Sequence, residues 1–403
     1  MSSGRVKRGC LLGTGATGPG IIRYDFAYGL LMVLCAAPGK RMSLPISVTA
    51  ANCEQGMVSS KAVSSAPPVI IYRLGSLGDT LVALPCFHKI AERFADRRRL
   101  VLTNFPVSSK AAPLEDILGG SGLIDGAIEY PMGLRSLASL LALRQRLRAT
   151  ESTTLVYLAA SRGRLNAWRD WLFFRFCGFR QVLAIPLTAD LLNNRIGADG
   201  QEEPEAERLA RTLAGEFGTI NLTSAASWDL RLTADERAAA AAALAPLGGQ
   251  PFFAVNMGGK AAAKDWGEGN WHALMARLAG EIPTLRLVTV GAAEDSPRAA
   301  ALLAQWPTGG VDICGRLNPR ECAAALAGAS FFIGHDSGPL HLAAAVQTPC
   351  IGLFGDYNRP RKWHPYGATH HILHDMRGVQ AIGVDRVHSA VTAMAASSGR
   401  AAR

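Results

Sequence analysis

Two strand–turn–helix units, some 260 residues apart, constrain this chain more than anything else in it. The later unit runs Phe331-Phe-Ile-Gly-His-Asp-Ser-Gly-Pro-Leu-His-Leu342, followed by small apolar residues, Pro349, and the short apolar run Cys350–Phe354. It reads as strand, tight turn, helix, loop and buried parallel strand. Asp336 or Ser337 suits the helix cap, Pro339 suits its first positions, and His341 falls in its first turn. A helix start of this kind points unpaired N–H groups and a positive dipole end above the sheet, which suits a diphosphate. The earlier unit is Val69-Ile-Ile-Tyr-Arg-Leu-Gly-Ser-Leu-Gly-Asp79. There Gly75, Ser76 and Gly78 make a turn that lets backbone approach a ligand, and Asp79 stands where a helix begins. The plain alternative for Asp79 is a helix cap.

The pair resembles glycosyltransferase family 9, the ADP-heptose:lipopolysaccharide heptosyltransferases. The resemblance rests on Arg73 and Gly78-Asp79 early, and on Asp336-Ser-Gly338 with His341-Leu-Ala-Ala344 late. It also rests on Lys260 and Lys264-Asp-Trp266 after the strand Phe252–Asn256. It covers roughly residues 68–375. It implies an α/β protein of GT-B architecture, two Rossmann-like doubly wound domains facing across a cleft. It further implies an inverting transfer of heptose, or a related sugar, from ADP-heptose to a lipopolysaccharide core or similar glycan. Asp79 would be the general base. Gly259, Lys260, Lys264, Glu294, Asp336, Ser337, Gly338 and His341 would hold the donor, with Gly75, Ser76 and Gly78 forming the cleft turn. The ribose contact is left between Glu294 and Asp295. Lys264, with Lys260 as a second candidate, would offset charge on the leaving nucleotide, so no cofactor and no metal is expected.

Around this frame the chain divides into four. Residues 1–67 match nothing in the family and are expected to be disordered or to follow a start assigned too early, with the natural start near Met57. Residues 68–248 form the acceptor-side domain, 249–390 the nucleotide-sugar domain, and 391–403 a frayed tail. Gly13-Thr-Gly-Ala-Thr-Gly18 formally fits a dinucleotide fingerprint, but no strand precedes it and no acid follows at ribose distance. Ala27–Ala37 is an apolar run of 11 residues, too short to span a membrane. Further strands are expected at Leu100–Thr103, Leu155–Ala159, Leu285–Val290 and Phe331–Gly334. Helices are expected over Leu134–Arg148, Glu202–Phe217 and Thr233–Leu247, with Trp228–Leu232 extended.

Composition narrows the class. Hydrophobic residues make up 49% of 403, which supports packed cores. Eight scattered cysteines with no Cys-x-x-Cys argue against structural zinc and suit a reducing cytoplasm. His370, His371 and His374 suggest a metal by count only; surface or core roles are expected. Net charge is +10, and residues 69–180 hold sixteen Lys/Arg against nine Asp/Glu. The clusters are Arg97–Arg99, then Arg144, Arg146 and Arg148, then Arg162, Arg164, Arg169, Arg175 and Arg180. They suit an anionic glycolipid acceptor and peripheral contact with the inner face of the cytoplasmic membrane. Trp168, Trp171, Phe173, Phe174 and Phe176 among them fit either a surface or a core. No nucleic-acid module is present, so nucleic acid is not an expected partner. Two alternatives stay open: another nucleotide sugar on the same fold, or a non-catalytic binder of anions or nucleic acid.

Overall fold

The computed structural model describes residues 66–105, 112–131, 136–259 and 261–401. The Gly13–Gly18 turn, the Ala27–Ala37 run, Met57 and Lys260 lie outside the described residues.

The first half alternates strands and helices. In order these are β1 (Val69–Tyr72), α1 (Leu77–Val82), α2 (Leu84–Arg93), β2 (Arg99–Thr103), α3 (Leu114–Leu118) and β3 (Gly126–Glu129). Then come α4 (Leu137–Ala149), β4 (Thr154–Tyr157), α5 (Arg164–Cys177), β5 (Gln181–Leu183), α6 (Ala189–Leu192) and α7 (Glu205–Phe217). The five strands form one parallel sheet in the order β3-β2-β1-β4-β5. Val69 of β1 pairs with Arg99 on one side and Thr154 on the other. Chain order therefore reverses direction at β1, and the crevice opens at its carboxyl end.

The second half continues with α8 (Ala234–Leu244), β6 (Phe252–Asn256), α9 (Glu268–Leu278), β7 (Arg286–Thr289), α10 (Ser296–Leu303) and β8 (Gly310–Asp312). It closes with α11 (Pro319–Leu326), β9 (Phe332–His335), α12 (Gly338–Ala345), β10 (Cys350–Phe354), β11 (His371–His374) and α13 (Val384–Ala401). Its six strands are again parallel, in the order β11-β10-β9-β6-β7-β8. The reversal falls between β6 and β9, where Asn256 lies beside Gly334. β6, β9 and β10 are buried along their whole length, as strands covered on both faces must be.

The two sheets are joined through side chains as well as chain. α1 packs on α12, and a Cβ on Gly338 would collide with Leu77. α8 packs on α11 of the second half. Arg320, buried on α11, donates to Ile117 O and Leu230 O at 3.2 and 3.0 Å and pairs with Glu236 at 2.5 Å. Trp228 stacks on Tyr366 with centroids 5.7 Å apart.

Some expected elements move. α7 begins after Pro204 rather than at Glu202, because Pro204 disfavours helical backbone in the residue before it. Ala225–Trp228 is a 3-10 turn, so Trp228 is not extended, and its indole N–H donates to Leu222 O. α8 stops at Leu244, and Pro246 carries the chain into a 3-10 turn. The tail expected to fray after Ala390 is helical instead: α13 runs to Ala401 and buries Val387 and Val391 in the second core. No helix among the described residues is long and apolar enough to cross a membrane.

Candidate functional site

At the carboxyl end of β1 the chain leaves the sheet through Arg73. Its guanidinium is buried and donates to Leu158 O at 2.7 Å and to the Asp79 carbonyl. Burial lowers its pKa, opposed mainly by Asp79. Gly75 sits at φ +142, a conformation that excludes other residues, and a Cβ there would meet the Asp79 side chain. Its N–H donates to Asn104 Oδ1 at 2.8 Å. The turn thereby delivers Ser76, whose N–H and hydroxyl both donate to Asp79 Oδ2, at 2.7 and 2.9 Å. Asp79 is thus the third residue of α1 and closes a capping box; it is not the cap itself.

The second turn lies at the reversal of the other sheet. β9 ends on His335, fully buried, which accepts the Trp266 N–H on Nε2 at 3.0 Å. Burial holds His335 down to about 4, so it stays neutral and pins the loop carrying Lys264. Lys264 Nζ sits 2.7 Å from Asp336 Oδ2 and 4.4 Å from the Tyr357 ring centre. Asn358 Nδ2 donates to the same carboxylate oxygen at 2.5 Å. The Ser337 hydroxyl does not cap α12 but donates to Asn256 Oδ1 at 2.9 Å. Asn256 in turn donates to Val290 O, tying β6, β7 and the α12 start together. The first N–H groups of α12 are left without a side-chain cap.

The helix starts meet. His341 of α12 lies over Gly78 of α1, where a Cβ would stand 3.0 Å from its Cδ2. Burial pushes the His341 pKa down, against the Asp336 and Asp79 carboxylates, which push it up. Ser76, Gly78 and Asp79 from the first half line one cavity of about 430 Å³ with Gly259, Lys264, Asp336, Ser337, Gly338 and His341 from the second. That size suits a small-molecule substrate.

The structure therefore gathers nine of the expected residues at one cavity. Gly75 shapes the turn behind it. Of the two acids left open for the ribose, Glu294 is exposed and off the cavity wall, while Asp295 lines the wall. The cause is local. Ala293–Asp295 is a 3-10 turn in which Asp295 reaches back to the Ala292 N–H at 2.9 Å, against the bare backbones of Gly258 and Gly291. Asn256, Tyr357, Asn358 and Trp363 also line the cavity and were not anticipated. The available signal was position, since Asn256 ends β6 and Tyr357-Asn358 follow β10, both at carboxyl strand ends. Among the described residues no three His, Cys, Asp or Glu side chains gather as a metal site. His371 is exposed, and His374 Nδ1 faces His364 Nε2 at 2.9 Å.

A carboxylate on one wall, a lysine and an uncapped helix start on the other, and neutral imidazole between them can receive an anionic leaving group and take a proton from a hydroxyl.

Residues 176–381 match the family model described as glycosyltransferase family 9 (heptosyltransferase). A 92-residue stretch is 36% identical to lipopolysaccharide heptosyltransferase 1 of Salmonella typhimurium, covering 23% of this chain and only 28% of that protein's length. Among solved structures, the glycosyl transferase family 9 protein of Veillonella parvula superposes with TM-score 0.62 at 17% identity, over 82% of this chain and 98% of that one. The E. coli heptosyltransferase WaaC with ADP gives TM-score 0.58 at 18% identity, over 81% and 99%.

Proposed function

Because this chain belongs to glycosyltransferase family 9, we propose that it moves a heptose from ADP-heptose to a lipopolysaccharide core or similar anionic glycan, with inversion at the anomeric carbon. The observation that carries the reading is the single cavity bringing Asp79 opposite Lys264 and the α12 start. The ADP held by the similar E. coli enzyme supports the choice of nucleotide.

In this reading the diphosphate lies at the uncapped start of α12, and Lys264 offsets the charge that grows on it as the sugar departs. In this reading Lys264 performs this task without a metal ion, and activity is expected to persist in EDTA. Asp79 takes the proton of the acceptor hydroxyl as the anomeric carbon is attacked. Both Ser76 donors bind Oδ2, which leaves Oδ1 for the hydroxyl. One base attacking opposite the leaving group gives inversion. The protein works in the cytoplasm, peripherally at the inner face of the cytoplasmic membrane, and nucleic acid is not its partner.

The test is nucleotide release by purified protein offered ADP-heptose, other ADP-sugars, and UDP- and GDP-sugars, each with a lipopolysaccharide-core acceptor. ADP release confined to ADP-heptose, and dependent on acceptor, is expected. Release from a UDP- or GDP-sugar alone would replace the donor assignment.

A further inference from the structure

Helices α4 and α5 lie side by side over one face of the first sheet. Their inner faces are satisfied: Leu143 and Leu147 of α4, and Phe174 and Cys177 of α5, are buried in one core cluster. The outer faces of such helices are ordinarily polar. Here they are not. On α5, Leu165 is 85% exposed, Trp168 45%, Leu172 50% and Phe176 45%. At about 3.6 residues per turn these four share one stripe, roughly a quarter-turn wide. On α4, Leu137 and Leu141 are 49% and 47% exposed. Arg144 joins the two stripes, its guanidinium 4.4 Å from the Phe176 ring centre and its Nε donating to Phe176 O at 3.1 Å.

The exposed charges carried by the two helices themselves have one sign; the neighbouring acid Glu129 lies 3.8 Å from Arg146. Arg146 and Arg148 on α4, Arg164 and Arg175 on α5, and Arg180 just beyond are exposed. Asp170, the one acid within the two helices, is buried and held by Arg162 and Arg169 at 2.6 and 2.8 Å and by the Tyr157 hydroxyl at 2.9 Å. Not all the arginines of this half face water: Arg99 is buried, bonded to Leu123 O and paired with Asp125. Of those outside, Arg148, Arg164 and Arg175 lie on or beside the apolar stripes.

The combination selects among partners. A nucleic acid would meet the arginines but leave the leucines and Trp168 in water. A second copy, packed about a two-fold axis, would set arginine against arginine. An anionic bilayer satisfies both, with Leu and Trp entering the headgroup–acyl boundary while the arginines reach phosphates. Placement agrees. α5 follows β4, so its Leu165 end lies at the carboxyl edge of the sheet, the edge that faces the cavity.

We propose that the outer face of α4 and α5 is a docking surface that seats the protein on a bilayer containing anionic lipid. Its use rests on the proposed function, since a lipid-anchored acceptor is presented at that surface.

The experiment takes the full chain and measures sedimentation with phosphatidylcholine vesicles, with and without phosphatidylglycerol, across salt. Wild type should bind the anionic vesicles and release them as salt rises. Trp168→Ser with Leu172→Gln should weaken binding on the order of 10- to 100-fold, since two exposed apolar side chains no longer enter the interface. Arg148→Glu with Arg164→Glu should weaken it by about 10-fold or more and flatten the salt dependence. Circular dichroism verifies the fold of each variant. Unchanged vesicle binding in both variants would overturn the proposal. So would a wild-type dimer that Trp168→Ser with Leu172→Gln dissociates while no vesicle binding is seen, or RNA binding without vesicle binding. ADP release from ADP-heptose onto a water-soluble core fragment is read in parallel and should be equal in wild type and variants. The vesicle arm decides the docking surface and the release arm decides the reaction, so either can fail alone.

Discussion

The two strand–turn–helix units share a grammar and end in opposite electrostatic states. At α1 the first turn carries an acid, and Asp79 folds back onto the Ser76 N–H and hydroxyl. At α12 the corresponding serine turns away to Asn256, and the helix N–H groups are left uncapped. The first unit thus presents a carboxylate and the second presents unpaired donors with Lys264 beside them. A helix start is a fixed positive end, and the charged side chain placed beside it decides whether it offers a base or receives an anion. Contact between the units keeps the two outcomes adjacent, with Gly78 under His341 and Gly338 against Leu77. A Cβ at either glycine would crowd the side chain that faces it.

The largest effect should come from breaking the first unit. Asp79→Asn keeps an oxygen for the Ser76 donors, so the capping interaction and the fold should survive. It removes the basic oxygen, and turnover should drop ~10²–10⁴-fold with little change in donor binding. Steady-state rates together with donor titration would settle the matter. Normal turnover would reduce Asp79 to a helix-capping residue.

Breaking the second unit should cost less. Lys264→Ala removes the cation beside the expected leaving group and should lower kcat/KM by roughly 10–100-fold. It also strips a partner from Asp336, whose other bond is to Asn358. Lys264→Arg separates these effects, because it restores charge near Asp336 without the same reach. Partial rescue of rate is expected, and identical rates in the Ala and Arg variants would mean that Lys264 serves only the loop.

How much of this was readable in the residues differs between the same two regions. β1, β6 and β10 fall where their apolar runs place them, since strands buried on both faces have no other pattern to obey. β9 slides one residue onward to end on His335, because a buried neutral histidine continues the strand where its sequence looks like a turn. β3, β5, β8 and β11 went unread, being three or four residues long with mixed burial. Asp295 displaced Glu294 because one residue of phase in a 3-10 turn decides which carboxylate meets the wall, and the bare Gly258 and Gly291 that admit it are distant in sequence. α5 was ambiguous for a different reason. Phe174 and Cys177 face the core while Trp168, Leu172 and Phe176 face outward, so no single apolar stripe marks its inner side.

The smallest effect sharpens the comparison. Ser337 occupies the cap position of α12, yet its hydroxyl donates to Asn256 Oδ1 and not to α12. Ser337→Ala should therefore behave as the loss of one partly buried hydrogen bond, about 1 kcal/mol, and not as the loss of a cap. For a domain of this size that is roughly 2–4 °C in Tm. Donor affinity should change by less than about threefold, because the α12 N–H groups were never screened by this hydroxyl. Ser337→Asp is the informative partner. It supplies a carboxylate at the cap position of α12, and it would set negative charge where a diphosphate is expected. Donor binding by Ser337→Asp should fall well below that of Ser337→Ala while its Tm is equal or higher. Calorimetry on both variants, with ADP as the titrant, makes the measurement. Equal ADP affinity in the two would show that the diphosphate is held somewhere other than the start of α12.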